Sequence, residues 1–214
     1  LDWFGFSKDH LLKNPLIFHC LYSFYSFLML FSFIQPFSNS SKFSTISNSC
    51  SSWIDLKTYS LKVGIIRCGN IYGGGDLNWE RLIPGVIKWL INKETPVLRT
   101  NGTFKRDWVY VEDVVQAYIG VGSALLNPQI DVSDSYNFSS TDYLSVSEIY
   151  KNIVHRFSDN YIEPIIQEDS EFEIKDQYLS STKIKDELGI DSSFDIDSGL
   201  EKTIDWYRKY LVEI

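Results

Sequence analysis

At 214 residues with 44% apolar side chains, the chain is long enough to bury one sizeable core. Its formal net charge of −8 excludes a general nucleic-acid binder, which presents a basic surface. That charge is uneven: Lys8, Lys13, Lys42 and Lys57 against Asp2, Asp9 and Asp55 leave residues 1–60 at +1, so the remainder carries −9.

Cys20, Cys50 and Cys68 have no ligand-like spacing and form no even disulfide framework, so free thiols in a reducing, cytoplasmic setting are expected. His10, His19 and His155 sit in unrelated contexts, and neither a metal site nor a Cys–His nucleophile pair is indicated.

The chain starts at Leu1 and its single Met is Met29, which raises the expectation of a fragment or an incomplete gene model. Residues 15–37 hold no formally charged side chain and approach the roughly 20 residues that span a bilayer. Lys8 and Lys13 before them would keep the amino end on the cytoplasmic side. A signal peptide fits poorly, because the apolar region is long and no A-x-A-like site follows. Three readings stand: a membrane anchor, a packed helix or strand pair, or non-native sequence from a frameshift or mispredicted exon, the last being preferred. Any membrane contact would run through this segment. Residues 38–52 are Ser-dominated and do not suit a packed core. The expected division is therefore an atypical segment, irregular or a hydrophobic helix, over 1–52, and a domain portion over 53–214.

Beyond it, Leu61–Ile66 reads as a short buried parallel strand. The chain then turns polar at Arg67 and Asn70, with glycines at 69 and 73–75 that permit sharp turning or close approach of a ligand. The Gly69-x-x-x-Gly73-Gly74 spacing is neither a dinucleotide fingerprint nor a P-loop. Leu82–Asn92 reads as a helix with Pro84 in its first turn. Strand, Gly-rich turn and helix in this order place ligands at the carboxyl edge of an open α/β sheet.

Pro96–Leu98 is a short strand, Thr100-Asn101-Gly102 a turn, Trp108–Val111 a strand, and Val114–Leu126 a helix with Glu112 and Asp113 at its positive end. Tyr136–Phe138 is a strand. Ser145 and Glu148 open a helix that runs to about Phe157 with a capping box. Glu163–Gln167 is extended, Thr182–Leu188 a helix stopped by Gly189, and Ser198 to about Leu211 an amphipathic helix.

Three ordered blocks carry a resemblance. They are Arg67-Cys68-Gly69-Asn70-Ile71-Tyr72-Gly73 with Arg81-Leu82-Ile83-Pro84, then Lys105-Arg106-Asp107-Trp108-Val109-Tyr110-Val111-Glu112-Asp113, then Asp176-Gln177-Tyr178-Leu179-Ser180-Ser181-Thr182-Lys183. Together they resemble the extended short-chain dehydrogenases of the NAD-dependent nucleotide-sugar epimerase/dehydratase family. The likeness is greatest to the CDP-glucose 4,6-dehydratase group and covers roughly residues 55–212.

The resemblance implies an α/β fold, a partial Rossmann-like doubly wound sheet carrying the family's small substrate-binding part, preceded by a helix end at Ser52–Ser60. It implies a nucleotide-sugar substrate, NAD as cofactor and, often, a homodimer. In such an enzyme the sugar is oxidised at C4, water is lost across C5 and C6, and hydride returns to C6; an epimerase shares the first step. By position, Arg106 is the diphosphate clamp and Asn70 a contact to the diphosphate or sugar. Arg81, Leu82, Pro84, Val97 and Arg99 line the nucleotide pocket, and Gln177 is a late polar contact where some relatives use Arg. Cys68 and Gly69 match backbone positions beside the nicotinamide. The alternatives are an Arg106 ion pair with Asp107 or Asp113, and an Asn70 that caps a turn; Asp107, Trp108 and Asp113 are read as structural. No Tyr-x-x-x-Lys pair and no G-x-x-G-x-x-G turn occurs in the 214 residues, and Phe4-Gly5-Phe6-Ser7-Lys8 has no hydroxyl where the acid/base Tyr belongs. No residue is therefore assigned a catalytic role, and the chain by itself is expected to be inactive.

Overall fold

The computed structural model describes residues 64–130, 132, 135–167 and 175–212. The expectations for 15–37, for the helix end at Ser52–Ser60 and for Leu61–Val63 lie outside these residues. Among the described residues, thirteen elements run in the order β1 (Ile65–Cys68), β2 (Asn70–Tyr72), α1 (Leu82–Ile91), β3 (Val97–Leu98), β4 (Lys105–Tyr110), α2 (Val111–Leu126), β5 (Ser135–Phe138), β6 (Tyr143–Ser145), α3 (Val146–Val154), β7 (Ile165–Ile166), β8 (Asp176–Gln177), α4 (Thr182–Leu188) and α5 (Ile196–Val212). They fall into two units.

Of the smaller unit, residues 64–67 and 121–130 with Val132 and Ser135 are described. Ile65 and Ile66 are buried, as are Val121, Ala124 and Leu125. Gly64 is needed here for space: a Cβ would stand 2.6 Å from Val121 Cγ1. Arg67 Nη2 donates to Ser135 Oγ at 2.8 Å.

The larger unit, Cys68–Gly120 and Tyr136–Ile214, is organised on β4. Its second half pairs in parallel with β2, Asn70 opposite Trp108 and Tyr72 opposite Tyr110. Its first half is flanked twice: β6 pairs antiparallel, Lys105 opposite Ser145, and β8 pairs in parallel, Lys105 opposite Asp176 and Arg106 opposite Gln177. A strand bonded on both edges is buried, and Arg106 to Tyr110 all are. β3 pairs separately with β7, Val97 opposite Ile165.

Helix α1 turns Ile83, Val86, Ile87 and Leu90 inward and packs on α3 and α5. Helix α3 opens with the expected capping box: Ser145 Oγ accepts from Glu148 N at 3.2 Å and Ser145 N donates to Glu148 Oε2 at 2.7 Å. It ends at Val154, short of the expected stop near Phe157. Helix α4 ends on Gly189 at φ 67°, a left-handed cap that favours glycine. Helix α2 begins at Val111, so Glu112 and Asp113 lie inside its first turn. Strands β2, β6 and β8 are short and are not apparent from apolar alternation; partners on β4 supply what their sequences do not.

The glycine-rich loop is held from one side by α5. Tyr207 Oη donates to the Asp76 carbonyl at 2.6 Å. A Cβ at Gly74 would overlap Trp206, whose ring stacks on Tyr210 at 4.9 Å. Space rather than a turn explains Gly74; Gly75, at φ 89° with nothing within 4 Å of a Cβ, has the conformational reason.

Candidate nucleotide-sugar site

The residues singled out in the sequence fall into two clusters, both in the larger unit. The first lies where β2, β4 and β8 adjoin. Asn70 opens β2, half-buried, and its Nδ2 donates to Asp107 Oδ1 at 3.5 Å. Arg106, the residue before Asp107 on β4, is 8% exposed. Its Nη1 donates to the carbonyls of Lys105 at 2.8 Å and Lys175 at 3.1 Å, and its guanidinium lies 5.9 Å from the Phe104 ring centre. Gln177 stands opposite Arg106 on β8 and is exposed. An arginine and a glutamine are thus register partners, with an asparagine two positions further along β4 on its other neighbour, side chains of the type that bond a diphosphate and sugar hydroxyls.

Cys68 and Gly69 precede Asn70 directly. Gly69 N donates to Phe138 O at 3.0 Å. The face a side chain would occupy at Gly69 is filled by the protein: a Cβ would stand 2.5 Å from Ser139 Oγ and 2.8 Å from Asp107 Cγ. Among the described residues, Ser139 Oγ is a buried hydroxyl without a hydrogen-bond partner. Burial pushes the Cys68 thiol up to about 12, with Asp107 adding to the shift and a hydrogen bond from Tyr118 opposing it. Such a thiol stays protonated and is neither a nucleophile nor a metal ligand at neutral pH.

The second cluster surrounds the start of α1. Arg81 is the N-cap residue, and its Nη1 meets Asp76 Oδ2 at 3.0 Å. Leu82 is half-buried and Pro84 buried in the first turn. Arg99, exposed beyond β3, bonds the carboxylate of Glu80, while Val97 is half-buried on β3. Both arginines thus lie against carboxylates of the 76–81 loop, which keeps local charge near balance.

Three residues do more here than the sequence suggests. Asp107, 2% exposed, is placed between Asn70 and the backbone of Leu179, whose N–H it accepts at 2.9 Å. Ser181 Oγ accepts from Ser139 N at 2.7 Å and donates to Ser139 O at 3.0 Å. Asp113 accepts from Ser193 N at 2.9 Å and Phe194 N at 3.1 Å, fixing the approach to α5. An acid directly before the apolar run Trp108–Val109–Tyr110 is the one sequence sign of such wiring.

Part of the chain matches a known family. Residues 49–132 match the NAD dependent epimerase/dehydratase family. Over that stretch the chain is similar to that family. It is 24% identical over 184 residues to the CDP-glucose 4,6-dehydratase of Salmonella typhimurium, covering 83% of this chain and 51% of that enzyme. It is 29% identical over 164 residues to the dTDP-glucose 4,6-dehydratase of Haemophilus influenzae, covering 71% and 46%. Among solved structures, the UDP-glucose 4-epimerase of Thermotoga maritima with UDP-glucose superposes with a TM-score of 0.64 at 22% identity, over 76% of this chain and 51% of that one. The dTDP-glucose 4,6-dehydratase of Bacillus anthracis in complex with NAD gives 0.60 at 23%, over 82% and 56%. The chain thus spans about half the length of these relatives and shares the α/β fold of the solved ones.

NAD is the dinucleotide of the family. The described residues do not by themselves fit it. The glycines of the 73–75 loop are packed under Val111 and Trp206 or lie in an isolated turn, and none forms a pyrophosphate cradle. The Gly69 face is closed by Ser139 and Asp107.

Among the described residues no helix is long and apolar enough to cross a membrane, and no group of His, Cys, Asp and Glu is arranged to hold a metal ion.

Proposed function

We propose that this chain is the nucleotide-sugar-binding portion of an NAD-dependent sugar-nucleotide 4,6-dehydratase. The observation that carries the reading is the pairing on β4: Gln177 of β8 stands opposite Arg106, and Asn70 of β2 stands opposite Trp108, two residues further along the same strand. Arg106 and Asn70 take the diphosphate and the near side of the sugar, Gln177 takes a sugar hydroxyl, and the loop from Asp76 to Pro84 with Val97 and Arg99 borders the nucleoside. Cys68 and Gly69 present backbone to the nicotinamide edge of the complete enzyme. The likeness to dehydratases acting on CDP- and dTDP-glucose supports the dehydratase reading. A 4-epimerase of the same family is the second reading, favoured by the match to the Thermotoga structure. A non-catalytic sugar-nucleotide-binding chain is the third, favoured by the lack of a Tyr-x-x-x-Lys pair in the sequence. The proposal includes a cytoplasmic setting and assembly as a homodimer.

Calorimetric titration with CDP-, dTDP- and UDP-glucose tests this. One of the three should bind, and Arg106→Ala should weaken it about ten- to a hundredfold, the worth of charge-assisted hydrogen bonds. Absence of binding to all three would sink the reading. Incubation with added NAD should give no 4-keto product, because no acid/base pair is assigned here; turnover by the purified chain would contradict that.

A further inference from the structure

Resting on the proposed binding of a nucleotide sugar, we infer that Asp107 is a positioning residue that latches the Lys175–Ser181 segment and thereby sets Gln177 against the substrate. Asp107 touches no proposed ligand position through its own exposed surface, since it is 2% exposed. It acts through its neighbours instead. Oδ2 accepts the Leu179 N–H at 2.9 Å, Oδ1 receives the longer bond from Asn70 Nδ2 at 3.5 Å, and the carboxylate lies against Gly69, where a Cβ would be 2.8 Å from Oδ2.

A buried carboxylate is costly unless its oxygens are satisfied, so each partner is required rather than incidental. The segment is pinned at both ends. Arg106 Nη1 holds the Lys175 carbonyl at 3.1 Å and Lys105 N donates to the same oxygen at 3.0 Å, while Asp107 holds Leu179 and Ser181 is tied to Ser139. Asp176, Gln177 and Tyr178 are exposed between those pins, and Gln177 is the one paired with Arg106. Without the Leu179 bond, the stretch after β8 keeps the Ser181 ties and the Tyr143–Tyr178 ring contact, and Gln177 keeps its pairing with Arg106 but loses the anchor two residues beyond it. Asp suits this position better than Asn because both oxygens must accept. The amide introduced by Asp107→Asn would offer one acceptor oxygen and set its own N–H against either the Leu179 N–H or Asn70 Nδ2.

Three measurements on the whole chain decide it. In the wild type, hydrogen exchange should show Leu179 as the best protected amide between Tyr178 and Thr182, although its neighbours are exposed. In Asp107→Asn, that amide should exchange about tenfold faster, and affinity for the nucleotide sugar should fall about tenfold while affinity for the matching nucleoside monophosphate stays unchanged. The Asp107→Asn loss should largely vanish in a Gln177→Ala background, the signature of one residue acting through the other. Equal loss for the monophosphate, additive losses in the double variant, or an unprotected Leu179 amide in the wild type would each overturn the inference. If the wild type binds no nucleotide sugar while Leu179 remains protected, the functional reading fails and the latch stands as structure alone. The exchange experiment on the wild type also holds if Asp107→Asn does not fold.

Discussion

Two loops of the larger unit, Gly73–Asp76 and Lys175–Ser181, are built by opposite means. The first announces itself with three consecutive glycines, yet they serve the fold: Val111 and Trp206 occupy the space side chains would take at Gly73 and Gly74, Gly75 supplies the positive φ, and Tyr207 bonds the Asp76 carbonyl. The second carries no glycine, lies largely exposed, and is fixed by polar ties to β4 and Ser139. Apolar close approach makes a rigid wall, whereas hydrogen bonds to a few buried groups make a segment whose position depends on those groups. The glycine cluster is thus explained largely by packing, and the buried acid Asp107 by the backbone it holds.

The sharpest way to probe the polar side is the Cys68 thiol, which adjoins Asp107. Raised from its ordinary 9.0 to about 12, it holds roughly a thousandfold less thiolate at pH 8 than a free cysteine. Peptide-mapped alkylation of the native protein should leave Cys68 unmodified, and labelling at the rate of the denatured chain would break the account of that region. The sign of the linkage follows. The protonated thiol favours the folded state fully below the ordinary thiol range, and that stability is lost as the pH rises from there towards 12.

On the apolar side, Gly74→Ala should destabilise by about 2–3 kcal/mol in denaturant melts, because the new Cβ overlaps a Trp206 already stacked on Tyr210. Gly75→Ala should cost less, about 1 kcal/mol, because only its positive φ of 89° opposes a side chain and the space is open. A reversed order would show that the loop is shaped by turn geometry and not by α5.

Much of the fold can be read from the residues themselves. The Ser145–Glu148 box, the Gly189 cap and the apolar faces of α1 and α5 are local chemistry, and each element appears within a few residues of its expected place. Strands β2, β6 and β8 are not legible, since two or three residues carry too little periodicity and gain their conformation from β4. For the candidate site, Asn70, Arg106 and Gln177 are singled out separately by resemblance, but the placing of Asn70 and Gln177 on either side of β4 depends on pairing between distant strands. Asp107 reads in the sequence as structural support for Arg106. The structure shows it bonded to Asn70 and Leu179, a connection through a backbone N–H that no sequence pattern records.

The most direct test of the central claim is a two-dimensional amide and side-chain NMR titration of this chain with CDP-glucose, repeated with dTDP- and UDP-glucose. The account predicts saturable shifts, with one of the three, confined to Asn70, the Arg81 region, Arg99, Arg106 and Gln177, with the 73–75 glycines unmoved. Shifts centred on Gly73–Gly75, or none at saturating ligand with any of the three nucleotide sugars, would contradict it.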